Sequence, residues 1–181
     1  MAEAMRTFSG TLVFVMAVAL SAQDAGWVRD WEEAQQKRPE RIGSVGRIAP
    51  EGEPGVPMVV RGRLLDAGGK PAAGVTIFAY QTDRTGVYNV PGRRGWRLKG
   101  WAMSDAQGRF ELHTIRPGSY PRTRTPAHIH VTIEGPRLQR RWTEDIQFAD
   151  DPFARDGLPV STRNGVQHVD YEIRIADTNK F

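Results

Sequence analysis

A chain of 181 residues with 39% hydrophobic and 25% charged positions is long enough to bury one domain-sized core. It contains no cysteine, which excludes disulfides, thiolate-held zinc and iron–sulfur clusters, so any metal must be held by nitrogen and oxygen. The net charge of +4 draws on Arg122, Arg124, Arg137, Arg140 and Arg141. No stacking aromatics are interleaved with these arginines, so nucleic acid is not an expected partner, and they read as a solvated rim that can attract small anions.

Residues 1–22 read as an export signal. Arg6 precedes the apolar run Thr11 to Leu20, and small residues around Ala19 to Ala22 offer a cleavage point before Gln23. The run is too short to span a bilayer, so the mature chain is expected to be periplasmic or secreted, with no membrane span. Glu3 in the leading segment keeps a cytoplasmic alternative open.

Residues 23–57 read as a helix and a linker. Trp27, Trp31 and Ala34 recur at helical spacing, with Asp24 as a cap and Pro39 as the stop. So small a helix must pack on the main domain or on another chain, which makes a homo-oligomer an expectation. The Gly/Pro-rich stretch 41–57 shows no periodicity and reads as a linker.

Residues 58–181 read as an all-β, antiparallel sandwich of seven short strands. Candidate strands cover 58–65, 75–81, 96–104, 109–115, 127–133, 139–148 and 168–175. The turn Asp105 to Gly108 reads as the tip of a hairpin. In the last strand Val169, Tyr171, Ile173 and Ile175 should face inward.

Chemistry concentrates in the middle of the chain. In the alternating run Ala127 to Val131, His128 and His130 leave one face of a strand together. Tyr120 lies just upstream in a Pro/Gly-rich loop, and Tyr88 sits in the loop Asp83 to Asn89. Two phenols and two imidazoles suit a hard, high-valent ion, because ferric iron depresses the pKa of a bound phenol and two phenolates offset most of its charge. Zinc and copper favour imidazole, carboxylate or thiolate, so paired tyrosines point to Fe(3+). His113 and His168 have no such company and read as structural or exposed. Trp96, Trp101 and Trp142 read as packing residues.

Gln81 to Tyr88, Gly100 to Phe110, Thr114 to Pro121 and Pro126 to His130 together resemble the intradiol ring-cleavage dioxygenases. The resemblance implies a prealbumin-like sandwich and a non-haem Fe(III) site with Tyr88 and His128 equatorial and Tyr120 and His130 axial. It implies that a catechol-type substrate binds as a bidentate dianion, displacing Tyr120. O2 is then inserted between the two hydroxylated carbons to give a muconate-type diacid, and Tyr88 and Tyr120 count as catalytic residues as well as ligands.

Three positions depart from the family pattern. Thr125 stands where an arginine usually precedes the first histidine, Tyr80-Gln81 replaces Trp-Gln, and Asp145 or Gln147 falls near the expected glutamine. These departures bear on the substrate rather than on the metal. The strand pattern alone also resembles non-catalytic prealbumin-like binding modules, and a metal-binding relative without ring cleavage is a third possibility.

Overall fold

The computed structural model describes residues 26–89 and 95–180. The expected export signal, 1–22, and the expected cap Asp24 lie outside them. Two sheets face each other. The first runs in the order Val45–Arg47 (β1), Arg109–Ile115 (β5), Pro57–Leu65 (β2), Val166–Arg174 (β10) and Ser161–Arg163 (β9). The second runs Asn179–Lys180 (β11), Leu138–Trp142 (β7), His128–Gly135 (β6), Thr76–Gln81 (β3) and Leu98–Met103 (β4), with Ile146–Gln147 (β8) paired to the start of β6.

Alternation along the strands makes the core between the sheets. β2 and β10 send Val60, Leu64, Val169 and Ile173 inward, against Ile77, Ala79, Ile129, Val131 and Ile133 from β3 and β6. Full burial of each large aliphatic side chain contributes about 1.5–3 kcal/mol. β3 is buried at all six positions because it is covered twice. Ile77 and Ala79 join the core, while Phe78 and Tyr80 face the other way, under a helix spanning residues 26–36 (α1).

That helix forms where the Trp27/Trp31/Ala34 spacing predicts one. Trp31 is buried edge-on against Phe78 at 5.0 Å, and Ala34 is buried beside it. Trp96, Trp101 and Trp142 pack in the same aromatic layer, as their assignment to packing implies. The helix therefore covers the outer face of the second sheet of its own chain, and Arg38 fastens its end to Glu134 and Thr76. Among the described residues no helix is long and apolar enough to cross a membrane.

Several expectations need correction. The stretch 41–57 is not a bare linker: β1 pairs parallel with β5, and Ile48 and Ala49 enter the core. A three-residue strand with a glycine at its centre carries too little pattern to be seen in sequence. β10 pairs parallel with β2, so the sheets are not wholly antiparallel, and the expected strand 139–148 is two strands, β7 and β8. The turn Asp105 to Gly108 joins strands of opposite sheets rather than a hairpin. Its Asp105 carboxylate accepts the amides of Gln107 and Arg109, a local cap that serves a corner as well as a hairpin.

Candidate metal centre

The site lies on the outer face of the second sheet, beside the aromatic layer. On β6, the two-residue period sends His128 and His130 to this face while Ile129 and Val131 enter the core. Tyr80 on β3 is the cross-strand neighbour of His130 and stacks on its ring, with centroids 4.6 Å apart. Tyr80 is itself sandwiched by Trp96 at 3.7 Å and accepts a hydrogen bond from Trp27 Nε1 of α1 at 3.2 Å. The helix thus bears on the site through one buried ring.

Two interlocked loops bring in the phenols. The loop after β3 carries Tyr88, and the loop after β5 carries Tyr120. Gln81, at the end of β3, is fully buried; its amide donates to the carbonyl of Ile115 at 2.9 Å and its carbonyl oxygen accepts from Thr114 Oγ1 at 2.8 Å. Beyond it, Thr82 Oγ1 donates to the Gly118 carbonyl, and the Gly118 amide donates to the Asp83 carbonyl, both at 2.8 Å. The backbones touch at two glycines. A Cβ on Gly118 would sit 2.6 Å from the carbonyl oxygen of Arg84, and one on Gly86 would sit 1.9 Å from that of Ser119. Gly86 also has φ +82°, a conformation that L side chains avoid.

Asp83 caps the Tyr88 loop. Its carboxylate accepts the amides of Thr85 and Val87 and the hydroxyl of Thr85, and faces Arg97 at 3.5 Å. Burial alone would push this carboxyl up, but the bonds from Thr85 and Val87 and the charge of Arg97 outweigh it and hold the pKa below the ordinary carboxylate value. A depressed native pKa contributes stability above the unfolded value, about 4, that is lost as pH falls through the native value. Asp83→Asn is therefore expected to flatten the acid limb of the stability curve below about pH 4. Urea unfolding at a series of acidic pH values checks this; an acid limb as steep as that of the wild type contradicts it.

All four predicted ligand atoms converge. Tyr88 Oη lies 2.5 Å from Tyr120 Oη and 2.9 Å from His130 Nε2, Tyr120 Oη lies 3.2 Å from His128 Nε2, and the two Nε2 atoms are 3.0 Å apart. The four atoms form a closed ring in which Tyr88 stands opposite His128 and Tyr120 opposite His130. Donors at right angles around an ion with bonds of about 2.1 Å are separated by roughly 3 Å, and the sides of this ring are near that length.

The protons make the same point. His128 Nδ1 lies 2.7 Å from the Pro126 carbonyl, which can only accept, so Nδ1 carries the proton and Nε2 is bare. His130 Nδ1 donates to the Asp145 carboxylate at 2.8 Å, so the neutral form of this ring presents a bare Nε2 as well. Burial pushes the pKa of His128 down, favouring the neutral ring, and burial followed by the bond to Tyr120 pushes Tyr88 up. Burial likewise raises Tyr120. The ring then has two phenol protons for four sides, and two imidazole lone pairs face each other with none between them. A multivalent cation resolves that conflict and reverses the phenol shifts, because a bound ion is the largest local charge. The residues fit a hard metal ion held by two oxygens and two nitrogens.

In sequence Asp145 stands out only as one of two residues near an expected glutamine, with nothing to mark it as functional. His128, His130 and Asp145 group closely enough to hold an ion, but Asp145 contacts the far nitrogen of His130, outside the ring of four. The Thr125 amide bonds to Thr123 Oγ1, and the neighbouring Arg124 lies over the ring of Phe153 at 5.6 Å. His113 pairs with Glu111, and His168 contacts Arg61 on the outer face of the first sheet, both away from the ring.

A family model described as dioxygenase matches residues 36–177. The protocatechuate 3,4-dioxygenase beta chain of Burkholderia cepacia is 34% identical over 131 residues, 62% of this chain and 56% of its own length. Catechol 1,2-dioxygenase 2 of Acinetobacter lwoffii is 26% identical over 132 residues, 63% of this chain and 48% of its own. The chain thus spans about half the length of the curated relatives it matches. Among solved structures, the dioxygenase domain of a dioxygenase carbohydrate-binding protein fusion from Streptomyces sp. SirexAA-E superposes with a TM-score of 0.63 at 26% identity, covering 76% of this chain and 88% of that one. The 3-chlorocatechol 1,2-dioxygenase from Rhodococcus opacus 1CP shares the fold, with a TM-score of 0.61 at 21% identity over 71% of this chain and 62% of its own.

Proposed function

This chain belongs to the intradiol ring-cleavage dioxygenases, and we propose that it holds one Fe(III) ion and cleaves a catechol-type ring between its two hydroxylated carbons. One catechol and one O2 give one muconate-type diacid, with both oxygen atoms incorporated. The observation that carries this reading is the closed ring of Tyr88, Tyr120, His128 and His130 donor atoms. A binding module has no use for such a ring.

The bound ion supplies Lewis acidity toward the catecholate and a path for its electrons to O2. The chain's own groups supply the rest. Tyr88 and Tyr120 would hold the ion as phenolates, and His128 and His130 would hold it as neutral rings through Nε2. Asp145 fixes the His130 tautomer and strengthens the ring as a donor. Tyr80 and Trp96 hold the plane of His130 by stacking. Burial favours the phenol form of Tyr120, so this side chain would hold a proton at Oη whenever it is not bound to the ion. Thr125 offers no cation at the position where an arginine is usual, which favours catechols over ring-carboxylated substrates.

Oxygen uptake with catechol, hydroxyquinol and protocatechuate, with identification of the product, tests the proposal. The expected result is one O2 consumed per ring and a cis,cis-diacid from at least one of the first two. Iron-loaded protein that consumes no oxygen with any of them would leave a metal-binding relative without ring cleavage. Removing the charge behind His130 gives a finer test. Asp145→Asn is expected to weaken iron binding about 10-fold and Asp145→Ala nearer 100-fold, since the amide oxygen keeps the hydrogen bond and the methyl group does not. Iron titrations that rank the two variants equal to wild type would contradict the role given to Asp145.

The export signal and its consequence, a periplasmic or secreted enzyme, complete the reading. With α1 packed on its own chain, a homo-oligomer is proposed on the family resemblance alone.

A further inference from the structure

Asp151 lies in the turn after β8, and its carboxylate is buried, with the residue 8% exposed. Its Oδ2 accepts the Ala127 amide at 2.9 Å and the Ser119 hydroxyl at 3.3 Å, and its Oδ1 accepts the Phe153 amide at 2.9 Å. Ala127 immediately precedes His128, and Ser119 immediately precedes Tyr120. One carboxylate therefore ties the backbone amide before one ring member to the side chain before another, and the donor atoms of those two lie 3.2 Å apart.

The Tyr88 loop also holds the Tyr120 loop, but those contacts fall on Gly118 and Ser119 and not on the strand of His128. Residues 121–124, between the two, are exposed, and Arg122 takes a left-handed conformation at φ 63°. The neighbouring Asp150 pairs with Arg116 at 2.8 Å, so the same turn also grips the start of the Tyr120 loop. Three donors converge on this side chain, so it needs an acceptor oxygen on both sides, which a carboxylate provides. An amide presents NH2 to donors on one side.

We propose that Asp151 is a positioning residue of the metal centre: it sets Tyr120 and His128 at the separation at which both reach one ion. The tie to Ser119 and Ala127 belongs to the metal-free fold; its consequence for iron rests on the function proposed above.

The test compares wild type, Asp151→Asn and Ser119→Ala, each metal-free and reconstituted with Fe(III). In Asp151→Asn, iron affinity should fall about 10–100-fold, the phenolate-to-iron absorption band should shift, and the Ala127 amide of the metal-free protein should exchange with solvent at least about 10-fold faster. Ser119→Ala releases only the tyrosine arm, so the band should shift while Ala127 stays protected. An Asp151→Asn protein with wild-type affinity, band position and Ala127 exchange overturns the proposal. Should that variant not fold, Ser119→Ala decides, and an unmoved band and affinity overturn it. Should wild type itself take up no iron, the ferric reading fails on its own, and wild-type Ala127 exchange in metal-free Asp151→Asn, or an unaltered Tyr120 ring environment by NMR in metal-free Ser119→Ala, overturns the tie.

Discussion

Replacing His128 with alanine is expected to empty the protein of iron and reduce oxygen uptake to that of the metal-free chain, while the sandwich stays folded. His128 offers its bare Nε2 3.0 and 3.2 Å from two other members of the ring. Its removal breaks the ring at the corner opposite Tyr88. Three donors would be left, two of them phenols that ionise at neutral pH only beside a strong positive charge, so the loss is cooperative. The cost to the fold is smaller. His128 leaves the Pro126 carbonyl without its partner, about 1–3 kcal/mol, but the aliphatic core lies on the opposite face of β6. Elemental analysis, oxygen uptake and circular dichroism together separate these effects. One iron per chain retained in a folded His128→Ala protein would remove His128 from the site.

Gly86→Ala is expected to do the reverse, damaging fold and site together without touching a ligand. Alanine at φ +82° costs about 1–2 kcal/mol in backbone strain, and its methyl carbon would lie 1.9 Å from the Ser119 carbonyl oxygen, a contact no rotamer relieves. Overpacking of this kind adds about 1–3 kcal/mol. The loops must part, carrying Tyr88 away from Tyr120 across a separation of only 2.5 Å. A melting temperature lower by roughly 10 °C and iron binding weakened at least as far as in Asp145→Ala are the expected results. Thermal unfolding of the metal-free protein with a parallel iron titration checks both. A variant as stable as wild type would mean that the loops do not depend on their contact at Gly86.

The sequence carries some of this site openly and conceals the rest. The period of two in Ala127 to Val131 suffices to place both imidazoles on one face, because a half-buried strand enforces it. The alternation of Val169, Tyr171 and Ile173 is legible for the same reason, and all three are buried. Strand direction is not encoded in alternation, so the parallel pairing of β10 with β2 could not be read. Nor could the corner at Asp105, where the side chain caps its own turn and is indifferent to the sheet that follows. Asp145 and Asp151 were hidden for a further reason. Each acts on residues 15 to 32 positions away, through a contact that exists only once the chain is folded. In the linear sequence Asp151 is one of two aspartates before a proline, the ordinary signature of a loop.

The central claim is that two phenols and two imidazoles share one ferric ion. The visible spectrum of the iron-reconstituted protein, recorded beside Tyr88→Phe, tests it most directly. A strong phenolate-to-iron band that perturbs on anaerobic addition of catechol, and that weakens and shifts in Tyr88→Phe, is the expected result. A colourless iron-loaded protein, or a band indifferent to the loss of the Tyr88 hydroxyl, would contradict it.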